Sequence, residues 1–556
     1  MQQFKDIFGK YWLFLLGAPI VYRLYVILLY NLHFWFALDD AYIYLQFAKN
    51  FAMGHFLTYS IGEPHSNGCT SFVYYLLCTM CYVTTNSLFG VQALLFAIFV
   101  IIYASSVYLT YKILRTLLKE KHENILKFIT LVVFTANPIF YGFFSGLEYP
   151  LSVFFLLLLV YSILHKKYYL FLSSIILMNL GRPEGVITAF LILLVVSLNQ
   201  KTFSRNRKYF SWAVYLFSAL IVPAINLLYT GILTINSTSR VPIFAIFDPI
   251  SLIKSDFSIF YDFITPYSNI PHLCSDRSQL FLIFIASIIC VILTIIPFII
   301  YIFKKINKND KNIFSNLWNI KKIIIEHQFI LILLLIILSQ LSIPLLVGIS
   351  AEWCRYITPA YPIFAILYVI VCKKIGLNTK HIAVIFLLFL VVNISVVPHW
   401  NDEYLKYTNI LNSEFYQMGE FLSKNVQKDQ IVALDQAGIL ALMNPGITID
   451  TYGLGTARYA KRPRTNEHVI QLMYKDKPDY CITYYYNYTG FGSPSYYLRS
   501  LPYGAKAELL FVSELNKSLP HYPDFPATLE IYRITYVGNS SGVHPTAKSK
   551  CLKLHV

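Results

Sequence analysis

Long apolar runs recur along the chain from Tyr11 to Pro398, separated by short polar segments that are rich in lysine and arginine. Many approach the ~20 residues that a helix needs to cross a hydrocarbon core. Lipid offers backbone amides no partners, so such runs are expected to be helical. The pattern changes near residue 400, where hydrophobicity drops and turn residues appear. Beyond that point, residues 430–434 and 479–484 read as strands, and 528–534 alternates like a late strand. Residues 466–474 read as a helix with Asn466 as its N-cap. The residues after Val537 are polar and are expected to fray. The predicted fold is an α-helical polytopic membrane region over 1–399, with outer-face loops at 31–69 and 232–276. A soluble extracytoplasmic α/β domain follows over 400–556, long enough for its own core.

Composition sharpens this picture. Hydrophobic residues make up 56% of the 556 and charged residues 13%, with a mean hydropathy of +0.55. A soluble chain carries roughly 25% charged residues. The net charge of +16 does not indicate nucleic acid, because the lysines and arginines sit mainly in short loops between apolar runs. That distribution is the orientation signal of a membrane protein. No signal-peptide cleavage pattern is evident, and an uncleaved first span is expected over about 12–37. Placing Lys5 and Lys10 inside gives about eleven crossings, with a cytoplasmic N-terminus and an extracytoplasmic tail. Further spans are expected near 90–111, 127–144, 148–164, 168–180, 185–199, 209–231, 277–303, 324–347, 356–372 and 381–397. The apolar segment 70–85 would put the basic loop after 111 on the wrong side if it crossed, so it reads as a re-entrant or surface helix. The nine cysteines show no zinc spacing, and no metal site is assigned to Cys78 and Cys81. Cys481 and Cys551 are candidates for a disulfide if the tail is extracytoplasmic.

This topology brings Asp39, Asp40, Glu63, His65, Glu148, Arg182, Glu184, Arg240, Glu352 and Arg355 to one outer face. The basic loops on the opposite side set the orientation, so the convergence suggests one outward-facing polar cavity. Asp39 and Asp40 follow the first apolar run directly. A carboxylate at a membrane boundary marks either a site or a solvated loop. A positioned carboxylate can take the proton of an attacking hydroxyl, and two adjacent ones raise each other's pKa. Residues 42–55 then have helical apolar spacing with Gly54 as a stop, suiting a helix on the membrane surface. Glu63 and His65 suit substrate binding, and equally a simple turn.

Asp39-Asp40-Ala41-Tyr42-Ile43, the helix ending at Gly54-His55, Gly62-Glu63 and Asn67-Gly68-Cys69-Thr70-Ser71-Phe72 together resemble the first outer loop of the C-type (GT-C) membrane glycosyltransferases. These enzymes use polyprenyl-phosphate sugars, and the arabinofuranosyltransferase-like subgroup is the most similar. The chain departs from that pattern at Cys69, where tyrosine is more usual, and at Phe56, where a glycine often follows the histidine. Further motifs resemble the family in the same order. They are Ser145-Gly146-Leu147-Glu148, Arg182-Pro183-Glu184-Gly185, the stretch from Gly231 through Asn236 to Arg240, and Arg355-Tyr356 with Pro359 and Pro362. Asp435-Gln436-Ala437-Gly438 and Ile449-Asp450-Thr451-Tyr452-Gly453-Leu454 resemble the start of the family's ectodomain.

The resemblance implies an inverting transfer with Asp39 or Asp40 as general base. A polyprenyl-phosphate leaving group gains negative charge in the transition state, and arginine is suited to clamp it. Arg355 is the first choice for that role, with Arg182 and Arg240 next. Interfacial snorkelling is the alternative for Arg355, and an ion pair with Glu184 or Glu148 is the alternative for Arg182. Glu63, His65, Glu148, Glu184 and Asn236 are the candidate substrate-binding residues. No cofactor is assigned; a divalent cation is compatible with the clustered carboxylates, although a monophosphate donor does not need one. The expected activity is transfer of a hexose or pentose from the lipid-linked donor to an extracytoplasmic glycan or glycolipid acceptor. The expected setting is the bacterial inner membrane, with membrane lipid but no nucleic acid as partner. A lipid-linked sugar flippase or transporter, or an oligosaccharide polymerase or ligase, is the alternative.

Overall fold

The structure is a computed structural model that describes residues 12, 17–18, 20–30, 32–118, 123–199, 202–236, 295–301, 328–340, 358–461, 465–483, 493–514 and 528–536. The chain divides into two compact units. The first comprises residues 1–41, 70–225 and 241–408, and the second comprises 42–69, 226–240 and 409–556.

The first unit is helical. Its described elements include α1 (Ile20–Leu29), followed after a non-helical stretch by α2 (Asp39–Ala52), which continues into the second unit. Then come α3 (Phe72–Thr85), α4 (Leu88–Leu118), α5 (Glu123–Thr135), α6 (Asn137–Phe143), α7 (Tyr149–Leu164), α8 (Tyr168–Gly181), α9 (Pro183–Leu198) and α10 (Arg205–Thr230). Later in the chain lie α11 (Gln328–Gln340), α12 (Tyr361–Lys374) and α13 (Thr379–Ile410). Val91, Leu95, Phe99, Tyr103 and Val107 recur at helical spacing on α4 and are buried where it packs on α3 and α7. Outward-facing positions are also apolar: Ile101 of α4 is 65% exposed and Phe217 of α10 is 73% exposed. A helix in water turns polar residues outward, so this surface suits lipid.

Among the described residues, α4 and α10 are long and apolar enough to cross a bilayer, and the other apolar helical stretches, including Thr379–Val391 of α13, are shorter. The expected count of about eleven is not reached by the described helices, and the expected spans over 277–303 and 324–347 lie largely outside the described residues. The α3 helix, at 14 residues, is about 21 Å long, shorter than the ~30 Å core. Ser71 caps it, its Oγ accepting the Tyr74 N–H at 3.1 Å.

Two expected spans are interrupted. The run over 12–37 does not continue as helix past Tyr30; residues 32–38 are non-helical, and Phe34, Trp35, Phe36, Ala37 and Leu38 are buried. Their backbone groups find side-chain partners instead. The Trp35 N–H donates to Gln92 Oε1 (2.8 Å), Gln92 Nε2 donates to the His33 carbonyl (3.0 Å), and the Tyr404 hydroxyl donates to the Trp35 carbonyl (3.1 Å). The run over 127–144 splits at Ala136, where Asn393 repairs the break. Its Oδ1 accepts the Asn137 N–H (3.1 Å) and its Nδ2 donates to the Thr135 carbonyl (2.8 Å).

The second unit is an α/β domain. Helix α13 leads through a π-helical turn (Leu411–Phe415) into α14 (Tyr416–Asn425). The sheet has strand order β2-β1-β3-β5-β4. Parallel β1 (Ile431–Leu434), β2 (Ile447–Asp450) and β3 (Tyr480–Thr483) form one side, and antiparallel β4 (Ala505–Glu514) and β5 (Thr528–Tyr536) complete it. The apolar runs of β1 and β3 suit strands covered on both faces. Short helices connect the strands: α15 (Ile439–Met443), α16 (Ala457–Ala460), α17 (Asn466–Asp476) and α18 (Ser495–Arg499). The cap of α17 is Thr465 rather than Asn466; the Thr465 side chain accepts the His468 N–H at 3.2 Å. Cys481 is a fully buried thiol packed with Tyr459, Tyr497 and Tyr532; its candidate disulfide partner, Cys551, lies outside the described residues. Burial pushes that thiol well above its ordinary range.

The end of β2 is closed by a buried carboxylate. Asp450 accepts backbone N–H groups from Tyr452 (2.8 Å), Gly453 (3.1 Å) and Gly455 (2.6 Å). Asp450→Ala leaves these donors without their acceptor and is expected to destabilise the domain by about 3 kcal/mol. Thermal unfolding of the detergent-solubilised chain reads this directly, and an unchanged midpoint would contradict the role.

Candidate functional site

Asp39 and Asp40 form the first turn of α2 and are both half-buried. The chain reaches them through the buried segment Phe36–Leu38, so the two carboxylates sit on a fixed base. A helix N-terminus favours negative charge. The Ser145–Glu148 turn lies against this base. Gly146 has φ +85°, and a Cβ there would collide with Phe36, while Ala41 lies beside the same position. Tyr74 of α3 donates its hydroxyl to the Gly146 carbonyl (2.6 Å), and Ser145 Oγ donates to the Gly142 carbonyl (2.9 Å).

Glu148, Arg182 and Glu184 form a buried network in the same unit, at 3%, 8% and 3% exposure. Arg182 ends α8 and caps α9, which places its side chain beside Glu184 in the first turn of α9. Its guanidinium donates to both Glu184 oxygens (Nε 3.2 Å, Nη2 2.9 Å) and to Glu148 Oε1 (Nη1 3.0 Å). Thr70 Oγ1 also donates to Glu148 Oε1 (2.8 Å), and the Arg182 guanidinium lies over the Tyr149 ring. Four separate sequence motifs therefore converge in the helical unit: the paired aspartates, the Thr70-Ser71 pair, the turn ending at Glu148 and the Arg182–Gly185 turn. Arg182 engages carboxylates with three of its donors. A donor phosphate would compete with that arrangement.

In the second unit a different group of predicted residues meets. Glu63 accepts from Arg458 Nη1, and Arg458 also donates to Asp476 Oδ2 through Nε (3.1 Å) and Nη2 (3.0 Å). Burial disfavours the Arg458 charge, but the hydrogen bond and charge of Glu63, with Asp476 behind it, outweigh that and raise its pKa above the ordinary value. Tyr459 donates to the same Asp476 oxygen (2.7 Å); burial and that neighbouring carboxylate raise its phenol above the usual range. His65 is exposed at the loop surface. Its Nδ1–H donates to the Phe56 carbonyl (2.9 Å), and its ring meets Tyr229 edge-on. Asn236 is buried, its N–H donating to the Asn67 carbonyl (2.8 Å) and its Nδ2 to the Leu454 carbonyl (2.9 Å). Arg240 and Arg355 lie outside the described residues.

A family described as a domain of unknown function (DUF8728) matches residues 405–532. A comparison with curated proteins finds no match. Among solved structures, ArnT from Cupriavidus metallidurans bound to undecaprenyl phosphate is similar with a TM-score of 0.45 and 13% identity, covering 93% of this chain and 98% of that chain. The apo state of the same protein gives 0.43 and 11%, covering 88% and 93%.

Thr70, Arg458 and Asp476 were not singled out as site residues from sequence. Arg458 stands outside every quoted motif, and a charge pairing across 395 positions leaves no local trace. Asp450 belonged to a quoted motif without a role. Replacing Arg182 with Met leaves Glu148 and Glu184 buried without their cation and is expected to destabilise the helical unit by about 3–5 kcal/mol. Adding Glu184→Gln should recover part of that loss. Normal folding of Arg182→Met with weakened donor binding alone would instead favour the phosphate-clamp role.

Proposed function

We propose that this chain is an integral membrane glycosyltransferase acting at the extracytoplasmic face, with a polyprenyl-phosphate-linked sugar as donor and a glycan or glycolipid hydroxyl as acceptor. The observation that carries the reading is the meeting, within the helical unit, of the paired aspartates at the start of α2, the turn that presents Glu148, Thr70 and the Arg182–Gly185 turn. Glu148 and Glu184 are bound to Arg182, and Glu63 to Arg458. Asp39 and Asp40 stand half-exposed at the start of a helix, beside the turn that presents Glu148. The convergence of family-like motifs around them supports the same reading.

In this mechanism Asp39 or Asp40 accepts the proton of the acceptor hydroxyl. The resulting nucleophile attacks the anomeric carbon from the face opposite the phosphate. The carbon–oxygen bond to the phosphate breaks as the glycosidic bond forms, inverting the centre and releasing polyprenyl phosphate. Arg355 and Arg240 are the arginines proposed to stabilise the departing phosphate, while Arg182 organises Glu148 and Glu184. The prenyl chain lies among the apolar helices. The topology that fits has the N-terminus in the cytoplasm and the α/β domain outside, in a bacterial inner membrane.

Asp39→Asn and Asp40→Asn, made singly in the full chain, test the assignment. At least one is expected to lower sugar transfer about 100-fold or more, with binding of polyprenyl phosphate retained. Undiminished transfer by both variants would remove the base. Continued lipid translocation without transfer in the wild type would point to a flippase. Glycan composition of a deletion strain beside its parent identifies the acceptor.

A further inference from the structure

We propose that Arg458 is a positioning residue for the reaction: through Glu63 it fixes loop 57–69, and through that loop the helix that begins with Asp39 and Asp40. The assignment rests on the transferase reading. In open α/β sheets the carboxyl ends of the parallel strands ordinarily face a ligand crevice. Here they hold a segment of the chain's own first loop. The Tyr59 hydroxyl donates to the Ala437 carbonyl beyond β1 (2.5 Å), and Ser66 Oγ donates to the Gly455 carbonyl beyond β2. The Thr448 N–H of β2 donates to Ser60 Oγ (2.7 Å). A Cβ on Gly68 would collide with the Leu454 carbonyl, so the loop and the domain meet at backbone distance.

Those ties are neutral. Among the described residues, Glu63–Arg458 is the ion pair that joins this loop to the C-terminal domain. Arg458 is anchored from behind by Asp476 at the end of α17, so the guanidinium is held before Glu63 reaches it. Glu63 follows Gly62, whose φ of +98° turns the chain toward the domain, and its N–H donates to the Ser60 carbonyl (3.1 Å). The loop is in turn stitched to α2. Gln46 Nε2 donates to the Tyr59 carbonyl (2.8 Å), and Asn50 Nδ2 donates to the Thr58 (2.9 Å) and Tyr59 (2.8 Å) carbonyls. A displacement at Glu63 is thereby passed to a rigid helix whose first turn holds the paired aspartates. The pair is about one-quarter exposed on the arginine side, at 27%, where an ion pair adds little stability but still sets geometry.

Glu63→Gln and Arg458→Gln in the full-length chain, reconstituted in nanodiscs, separate positioning from stability. Hydrogen exchange at the amides of residues 57–66 is expected to quicken about tenfold in each variant. Turnover with a polyprenyl-phosphate sugar is expected to fall about 10- to 100-fold, with the donor KM shifted less than about twofold. The double variant should be no worse than Arg458→Gln alone, and Arg458→Lys should recover part of the turnover. Unchanged exchange in Glu63→Gln overturns the proposal, as does faster exchange with unchanged turnover. A wild-type chain that transfers no sugar refutes the transferase reading instead, and the exchange measurement then still decides whether Arg458 holds the loop.

Discussion

An arginine shared between two carboxylates organises each compact unit. In the helical unit Arg182 joins Glu148 to Glu184, and in the α/β unit Arg458 joins Glu63 to Asp476. A guanidinium that is buried, as Arg182 is, or partly withdrawn from water, as Arg458 is, needs acceptors whose geometry matches its fork. Meeting that requirement draws together segments far apart in the chain. It also leaves each network with one more negative than positive charge, so both depend on further donors. Thr70 supplies one to Glu148, and Tyr459 supplies one to Asp476.

Each unit fixes its own part of residues 36–69. Residues 36–41 rest against Gly146, whose turn ends at Glu148. Residues 42–69 belong to the unit whose sheet supplies Ala437, Thr448 and Gly455 as partners. Within the second unit, Gln46 and Asn50 of the helix from Asp39 to Ala52 donate to the Thr58 and Tyr59 carbonyls. For a general base this arrangement has a clear use. Proton transfer requires the carboxylate within hydrogen-bond reach of its target, and that placement has to be established before the substrate arrives. Gly68 and Gly146 permit the close approaches involved, and Gly62 and Gly146 take positive φ.

Much of the α/β domain was legible in local pattern. The strands expected at 430–434, 479–484 and 528–534 correspond to β1, β3 and β5, and the stop at Gly54 follows the end of α2 by two residues. The strands at Ile447–Asp450 and Ala505–Glu514 went unread. The first interleaves its two isoleucines with Thr448 and Asp450 and so lacks the apolar run of β1, and the second ends the sheet as an edge with mixed exposure. The interruptions after Tyr30 and at Ala136 were equally invisible. Hydropathy reports that a segment is apolar, not whether its amides bond within a helix or to Gln92, Tyr404 and Asn393.

By itself the sequence determined which stretches must leave water, where the chemistry-bearing residues lie in order, and that a smaller α/β domain follows an apolar helical region. Those properties are set by residue type and short-range period, which act over a few positions. Only the tertiary structure decided which acid meets which base. It assigned Arg182 to two glutamates, gave Glu63 to an arginine 395 residues away, and placed the two aspartates in the first turn of a helix. Charge pairing is a matter of distance in space and of desolvation, and neither is encoded in separation along the chain.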